Sequence, residues 1–176
     1  MKEKGLTQIY TGDGKGKSTA AVGQAVRAAG HDLKVGLVTF FKDPEVFGYG
    51  EYRSLQRLGI KTFHFARKHP HFYKEVSMDE VREECLEGVE FIEELFKDKS
   101  WDILVLDEIN IAVRDGFLKE EEVLSLLEAK PEKLELILTG RGVSEKIIEK
   151  ADLVSEVKKI KHPYDQGIQK REGIEY

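Results

Sequence analysis

Eight consecutive residues, Gly12 to Thr19 (GDGKGKST), bring glycines, lysines and hydroxyls together between a short apolar run and an alanine-rich segment. That combination suits a chain of phosphates. A strand, a glycine-rich turn and a helix in that order converge several backbone N–H groups on one point, where the helix dipole favours an anion. Gly12, Gly14 and Gly16 are needed because a Cβ would block close approach of backbone to phosphate. Lys17 adds a point charge, and Ser18 supplies a hydroxyl suited to Mg²⁺. These residue types predict that Gly12, Asp13, Gly14, Lys15, Gly16, Lys17, Ser18 and Thr19 cradle the triphosphate of a nucleotide, ATP with Mg²⁺. The usual spacing G-x-x-x-x-G-K-[ST] asks for a glycine at position 11, where Thr11 stands, so the loop is one residue short.

Asp107 and Glu108 close the apolar run ILVL and form a Walker B-like pair at the carboxyl tip of a strand expected to neighbour the phosphate-loop strand. A hard cation bridging phosphate oxygens needs such a carboxylate, directly or through water; which of the two touches the metal is open at this level. Arg141, in TGRG after another apolar run, either meets the triphosphate or a second substrate, or is an exposed turn residue between two glycines. His64, His69 and His71 with Asp79 match no common zinc spacing and read as surface or aromatic-loop residues. KKIKH at 158–162 reads as a solvated basic face. Cys85 falls at an apolar helical position, where a buried, inert thiol is expected.

The elements that must position these residues alternate along the whole chain. Strands are expected at Thr7–Tyr10, Lys34–Phe41, Lys61–Phe65, Asp102–Ile109, Leu134–Thr139 and Leu153–Val157, with helices at Lys17–Ala29, Ser77–Lys97, Glu120–Ala129 and Ser144–Lys150. Ser77 and Glu80 form a capping-box pattern, followed by Val81, Cys85, Val89, Ile92, Leu95 and Phe96 at helical spacing. This is an α/β pattern, a mostly parallel sheet of about six strands with helices on both faces. The segments 42–53 and 66–74 carry no period of their own and are expected as loops lining the crevice at the strand ends.

At 176 residues the chain has the length of one domain. Its 33 acidic residues exceed the 28 basic ones, the reverse of a nucleic-acid-binding footprint. The one cysteine, the absence of an apolar leader in MKEKGLTQIYTG and the shortness of the apolar runs lead us to expect a cytoplasmic protein without a membrane span. From the residues alone, a small-molecule kinase or NTPase and a non-enzymatic ATP-sensing module remain alternatives to any other ATP-dependent activity.

Several blocks together go further. GDGKGKSTAAVG at 12–23, VLDEINIAV at 105–113, LTGRG at 138–142, ADLVSEVKKIKHPYDQG at 151–167 and GIEY at 173–176 resemble the P-loop family of ATP:corrinoid adenosyltransferases, whose phosphate loop is short in the same way. The resemblance implies a three-layer, RecA-like P-loop NTPase fold. It also implies transfer of the 5′-deoxyadenosyl group of ATP to the Co(I) of a corrinoid, with triphosphate released. No acid–base residue is assigned, because no proton leaves the nucleophile. On this mapping Asp13, Lys15, Lys17, Ser18 and Thr19 hold the triphosphate, Ser18 with Asp107 or Glu108 serves Mg²⁺, and Arg27 and His162 lie near the nucleotide. ATP would lie reversed relative to kinases, with its sugar open to attack. Relatives also imply a homodimer and an electron-donating partner such as a flavoprotein reductase. Two departures stand out: the chain begins almost at its first strand, and FHFARKHPHFY lacks the tryptophan of the family's aromatic loop. Phe65, Phe72 or Tyr73 takes the place of that ring against the corrinoid, or these rings are core.

Overall fold

A computed structural model describes residues 4–48 and 50–175, leaving aside the side chain of Phe47; Tyr49 of the 42–53 segment and Tyr176 of the GIEY block lie outside the described residues. The chain runs β1 (Thr7–Thr11), α1 (Lys17–Ala29), β2 (Val35–Phe40), α2 (Pro44–Phe47), α3 (Gly50–Arg57), β3 (Lys61–Phe65) and α4 (Met78–Lys97). It continues through β4 (Ile103–Asp107), α5 (Ile109–Arg114), α6 (Glu120–Ala129), β5 (Glu135–Thr139), α7 (Glu145–Lys150) and β6 (Leu153–Glu156). The six strands form one sheet in the order β3-β2-β4-β5-β1-β6, with every pairing parallel.

Parallel strands need helical crossovers, so both sheet faces are covered and the central strands are apolar on both sides. All five residues of β4 and all six of β2 are buried. Leu104 and Leu106 face a core shared with Phe40, Val81, Cys85, Ile92 and Leu126, beneath α4 and α6. Ile103 and Val105 face the other way, toward Leu37, Leu55 and the Ala21, Ala25, Ala28 stripe of α1. Alanines at that spacing let α1 lie close on the sheet, which brings its N-terminus to the strand tips. Gly88 serves the same end on α4, since a Cβ there would stand 2.7 Å from the Phe40 ring.

Three expectations are corrected. The 42–53 segment is not all loop: it holds α2 and the first half of α3, whose few buried residues, Tyr52 and Leu55 in α3, leave too short a period to read. The strand expected to reach Ile109 stops at Asp107, because Glu108 adopts a left-handed conformation (φ 65°) and the chain enters α5. Nor does the acidic strand neighbour the phosphate-loop strand, for β5 lies between β4 and β1. The capping box stands as expected, with the Ser77 hydroxyl accepting from Glu80 N at 3.1 Å and Glu80 accepting from Ser77 N at 2.9 Å. Cys85 is fully buried, which pushes its thiol up to about 12. No helix among the described residues is long and apolar enough to cross a membrane.

Candidate active site

The phosphate loop connects β1 to α1. Gly12 (φ 97°) and Gly16 (φ 124°) occupy the left-handed region that only glycine adopts freely. Helix α1 opens at Lys17 without a side-chain cap, so its first N–H groups are left for an anion. The loop is confined from the other side too. Gly14 N donates to Val157 O at 2.7 Å, and a Cβ on Gly14 would meet the carbonyl oxygens of both Val157 and Lys158 at 2.7 Å. Backbone beyond β6 therefore roofs the loop, a contact that the 151–167 block could not disclose by its residue types. Lys17 is buried and donates to Gly14 O at 2.8 Å. Burial pushes its ammonium down, and the Arg141 charge adds to that, against the carboxylates of Glu108, Asp13 and Asp107.

Across the loop stands Asp107, 3% exposed at the tip of β4. Thr139, at the tip of β5, donates its hydroxyl to Asp107 Oδ1 at 2.6 Å and accepts from Glu108 N at 2.9 Å, fixing the carboxylate's orientation. Lys42, just past β2, donates to Asp107 Oδ2 at 2.5 Å and to Ser18 Oγ at 3.0 Å. Burial works against the charge on both partners, yet the Lys42 charge with its hydrogen bond holds Asp107 below the carboxylate range. Asp107 and Glu108 likewise more than reverse the effect of burial on Lys42, raising it above the ordinary lysine value. Burial and the Asp107 charge push Glu108 up, and its Oε2 finds no hydrogen-bond partner among the described residues. The donor set of Ser18 and Asp107 fits a cation, as the ammonium already held between them demonstrates.

The other expected residues divide. Arg141 is exposed at the same rim, near enough for its charge to act on both Lys17 and Glu108. Asp13 and Thr19 are exposed on the loop and the first turn of α1. Lys15 reaches away, donating to Ile174 O at 3.2 Å and pairing with Glu175 at 2.8 Å. Arg27 sits in the last turn of α1, about 15 Å of helix rise from Lys17, and bonds Gln24. His162 accepts from Tyr164 N at 3.2 Å to cap the short 3-10 turn Pro163–Gln166, beyond the segment that roofs the loop.

The 66–74 segment is the expected loop. His69 pairs with Asp115 at 2.9 Å and stands edge-on to Phe41 and Phe117, with ring centroids 4.9 and 5.3 Å away. His64 is engaged elsewhere, bonding Thr39 Oγ1 at 2.8 Å. Phe72 is 75% exposed beside His71, and Tyr73 is half-buried under Lys68. Phe65 instead packs on Phe40 and Phe91 and lines a groove of about 570 Å³ with Asp43, Arg67, Glu80 and Glu84.

Sequence reasoning missed Lys42 and gave Thr139 no role. A signal existed for both, since Thr139 ends an apolar strand and Lys42 stands just past one, at the carboxyl edge of the sheet where ligands bind. Which strand tips lie side by side, however, depends on the strand order.

A parallel sheet whose first strand runs into this loop and whose β4 ends in a carboxylate facing it defines a P-loop NTPase-like protein. Residues 3–176 match the family described as ATP:corrinoid adenosyltransferase BtuR/CobO/CobP, and the chain belongs to that family. It is 36% identical to the corrinoid adenosyltransferase of Escherichia coli (strain K12), over 99% of this chain and 87% of the relative. It is also 36% identical to corrinoid adenosyltransferase CobA of Salmonella typhimurium, over 100% and 88%. The corrinoid adenosyltransferase of Pseudomonas aeruginosa is similar at 31% identity, over 99% and 85%.

Proposed function

We propose that this chain transfers the 5′-deoxyadenosyl group of ATP to the Co(I) of a reduced corrinoid and releases triphosphate. In that step a cobalt–carbon bond forms at C5′ while the C5′–oxygen bond breaks, its electron pair leaving with the triphosphate. The carrying observation is the loop from Gly12 to Thr19 facing Asp107, in a chain that matches the family along nearly its whole length. No proton is removed from the nucleophile, so the protein's tasks are orientation and charge neutralisation on the leaving group.

The loop N–H groups and Lys17 hold the triphosphate, with Asp13 and Thr19 at its edge and Arg141 meeting it from the rim; Lys15 joins them by exchanging Glu175 for a phosphate oxygen. Ser18 and Asp107 would hold Mg²⁺, which when bound supplies positive charge to the phosphate oxygens. Glu108, pushed toward its neutral form, serves as a second-rank oxygen beside them. Phe72 and Tyr73 on the 66–74 loop offer rings to a corrinoid; Phe65, partly buried against the core, is the weaker candidate. Arg27 and His162 contact the nucleotide only if the 3-10 turn or a second copy of the chain brings them in, as a homodimer would allow. A flavoprotein reductase and a cytoplasmic location complete this reading.

The test is to incubate the protein with ATP, Mg²⁺ and chemically reduced cobalamin. The expected result is a light-sensitive cobalt–carbon spectrum and intact triphosphate. Folded protein that forms no adenosylated product refutes the reading, and release of orthophosphate would mark a kinase or NTPase instead.

A further inference from the structure

We propose that Lys42 is a built-in cation that bars divalent metal from Ser18 and Asp107 until a triphosphate arrives, so that metal and nucleotide enter together. The inference rests on the reading of Ser18 and Asp107 as metal ligands. Both are already occupied as acceptors. Asp107 Oδ2 and Ser18 Oγ receive Lys42 Nζ at 2.5 and 3.0 Å, and Asp107 Oδ1 receives the Thr139 hydroxyl at 2.6 Å. Each carboxylate oxygen thus already accepts one hydrogen bond, and a metal that approaches alone must take Asp107 Oδ2 and Ser18 Oγ from the Lys42 ammonium.

The surroundings make displacement of the ammonium unfavourable without a new anion. The Lys42 and Asp107 side chains are 15% and 4% exposed, so a metal must expel a nearly buried ammonium from its counter-ion. Lys17 and Arg141 add positive charge to the same rim. A triphosphate reverses that balance. It brings several negative charges to the loop between Lys17 and Ser18, within the sweep of a four-carbon lysine stem anchored just beyond β2. Lys42 can then exchange Asp107 for a phosphate oxygen while the metal takes Asp107 and Ser18. The ammonium ends on the leaving group rather than in solvent, which adds a positioning role in the reaction.

The test titrates nucleotide-free protein with Mn²⁺ and reads free metal by electron paramagnetic resonance. Wild-type protein is expected to bind Mn²⁺ only weakly at this site. Lys42→Gln, whose amide can still bond Asp107 and Ser18, should bind it roughly 10-fold or more tightly, since a unit charge next to a divalent cation has gone. A folded Lys42→Gln protein that binds no better overturns the proposal. So does tight binding by the wild type alone that Asp107→Asn abolishes, and that measurement needs no Lys42 variant to fold. With ATP present, Mn²⁺ should join the wild type, and Asp107→Asn should weaken it. Indifference to Asp107→Asn there refutes the metal-ligand reading itself, whereas sensitivity combined with a silent Lys42→Gln refutes only the exclusion.

Discussion

Thr139 joins both halves of the Asp107–Glu108 pair through one hydroxyl, as donor to the carboxylate and acceptor from the next N–H. Thr139→Val keeps the shape and strands both partners in a buried site, so urea unfolding should show a loss of about 1–3 kcal/mol, largely restored in Thr139→Ser. Lys17→Ala is expected to weaken ATP binding by roughly 10-fold or more, the loss of one charge-assisted phosphate contact, measured by calorimetry. His64 gives a pH signature. Burial, with the Arg67 charge, holds its imidazole below the ordinary value, so the unfolded chain takes up the proton first as pH falls. Stability should therefore decline as pH drops below about 6.5, and the urea midpoint of His64→Gln should lack that part of the decline. At this scale the phosphate loop was legible because its chemistry is contiguous in sequence. Lys42 was not, since only the pairing of β2 with β4 sets its ammonium against Asp107.

Among the elements, legibility followed length and period. Helix α4 shows its buried face over 20 residues and its cap in Ser77 and Glu80, and the structure returns both. Helix α5 follows β4 directly, and its N-cap, Glu108, makes no side-chain capping bond, so nothing local announces it. The 42–53 segment failed for a related reason, with α2 only four residues long. Close approach at α4 is itself testable. Gly88→Ala inserts a methyl group 2.7 Å from the Phe40 ring and 3.1 Å from Phe65. Overpacking of that kind should lower stability by about 1–3 kcal/mol in urea unfolding, with secondary structure retained by circular dichroism.

For the molecule as a whole, one sheet ties every element to its neighbours, and we expect one cooperative unit. Trp101 is buried against Gly36 and Phe63 where β4 begins, so its fluorescence reports on the sheet interior. Urea curves from Trp101 fluorescence and from far-ultraviolet circular dichroism should coincide, whereas separated midpoints would reveal two units. The strand order could not be read from the sequence, because nothing in β1 says that β5 and β6 will flank it. That order also has a consequence in time. Thr7 N bonds Asp152 across 145 residues, and Gly14 N waits for the carbonyl of Val157. A ribosome delivers the phosphate loop well before the strands that fix it. Until β6 and the backbone beyond it emerge, the nascent chain carries the loop's residues without its shape, and ATP is not expected to steady the growing polypeptide. Nucleotide capture thus reports that the sheet has closed around β1, so a pulse-chase assay on ATP resin should retain only chains released after β6 has emerged.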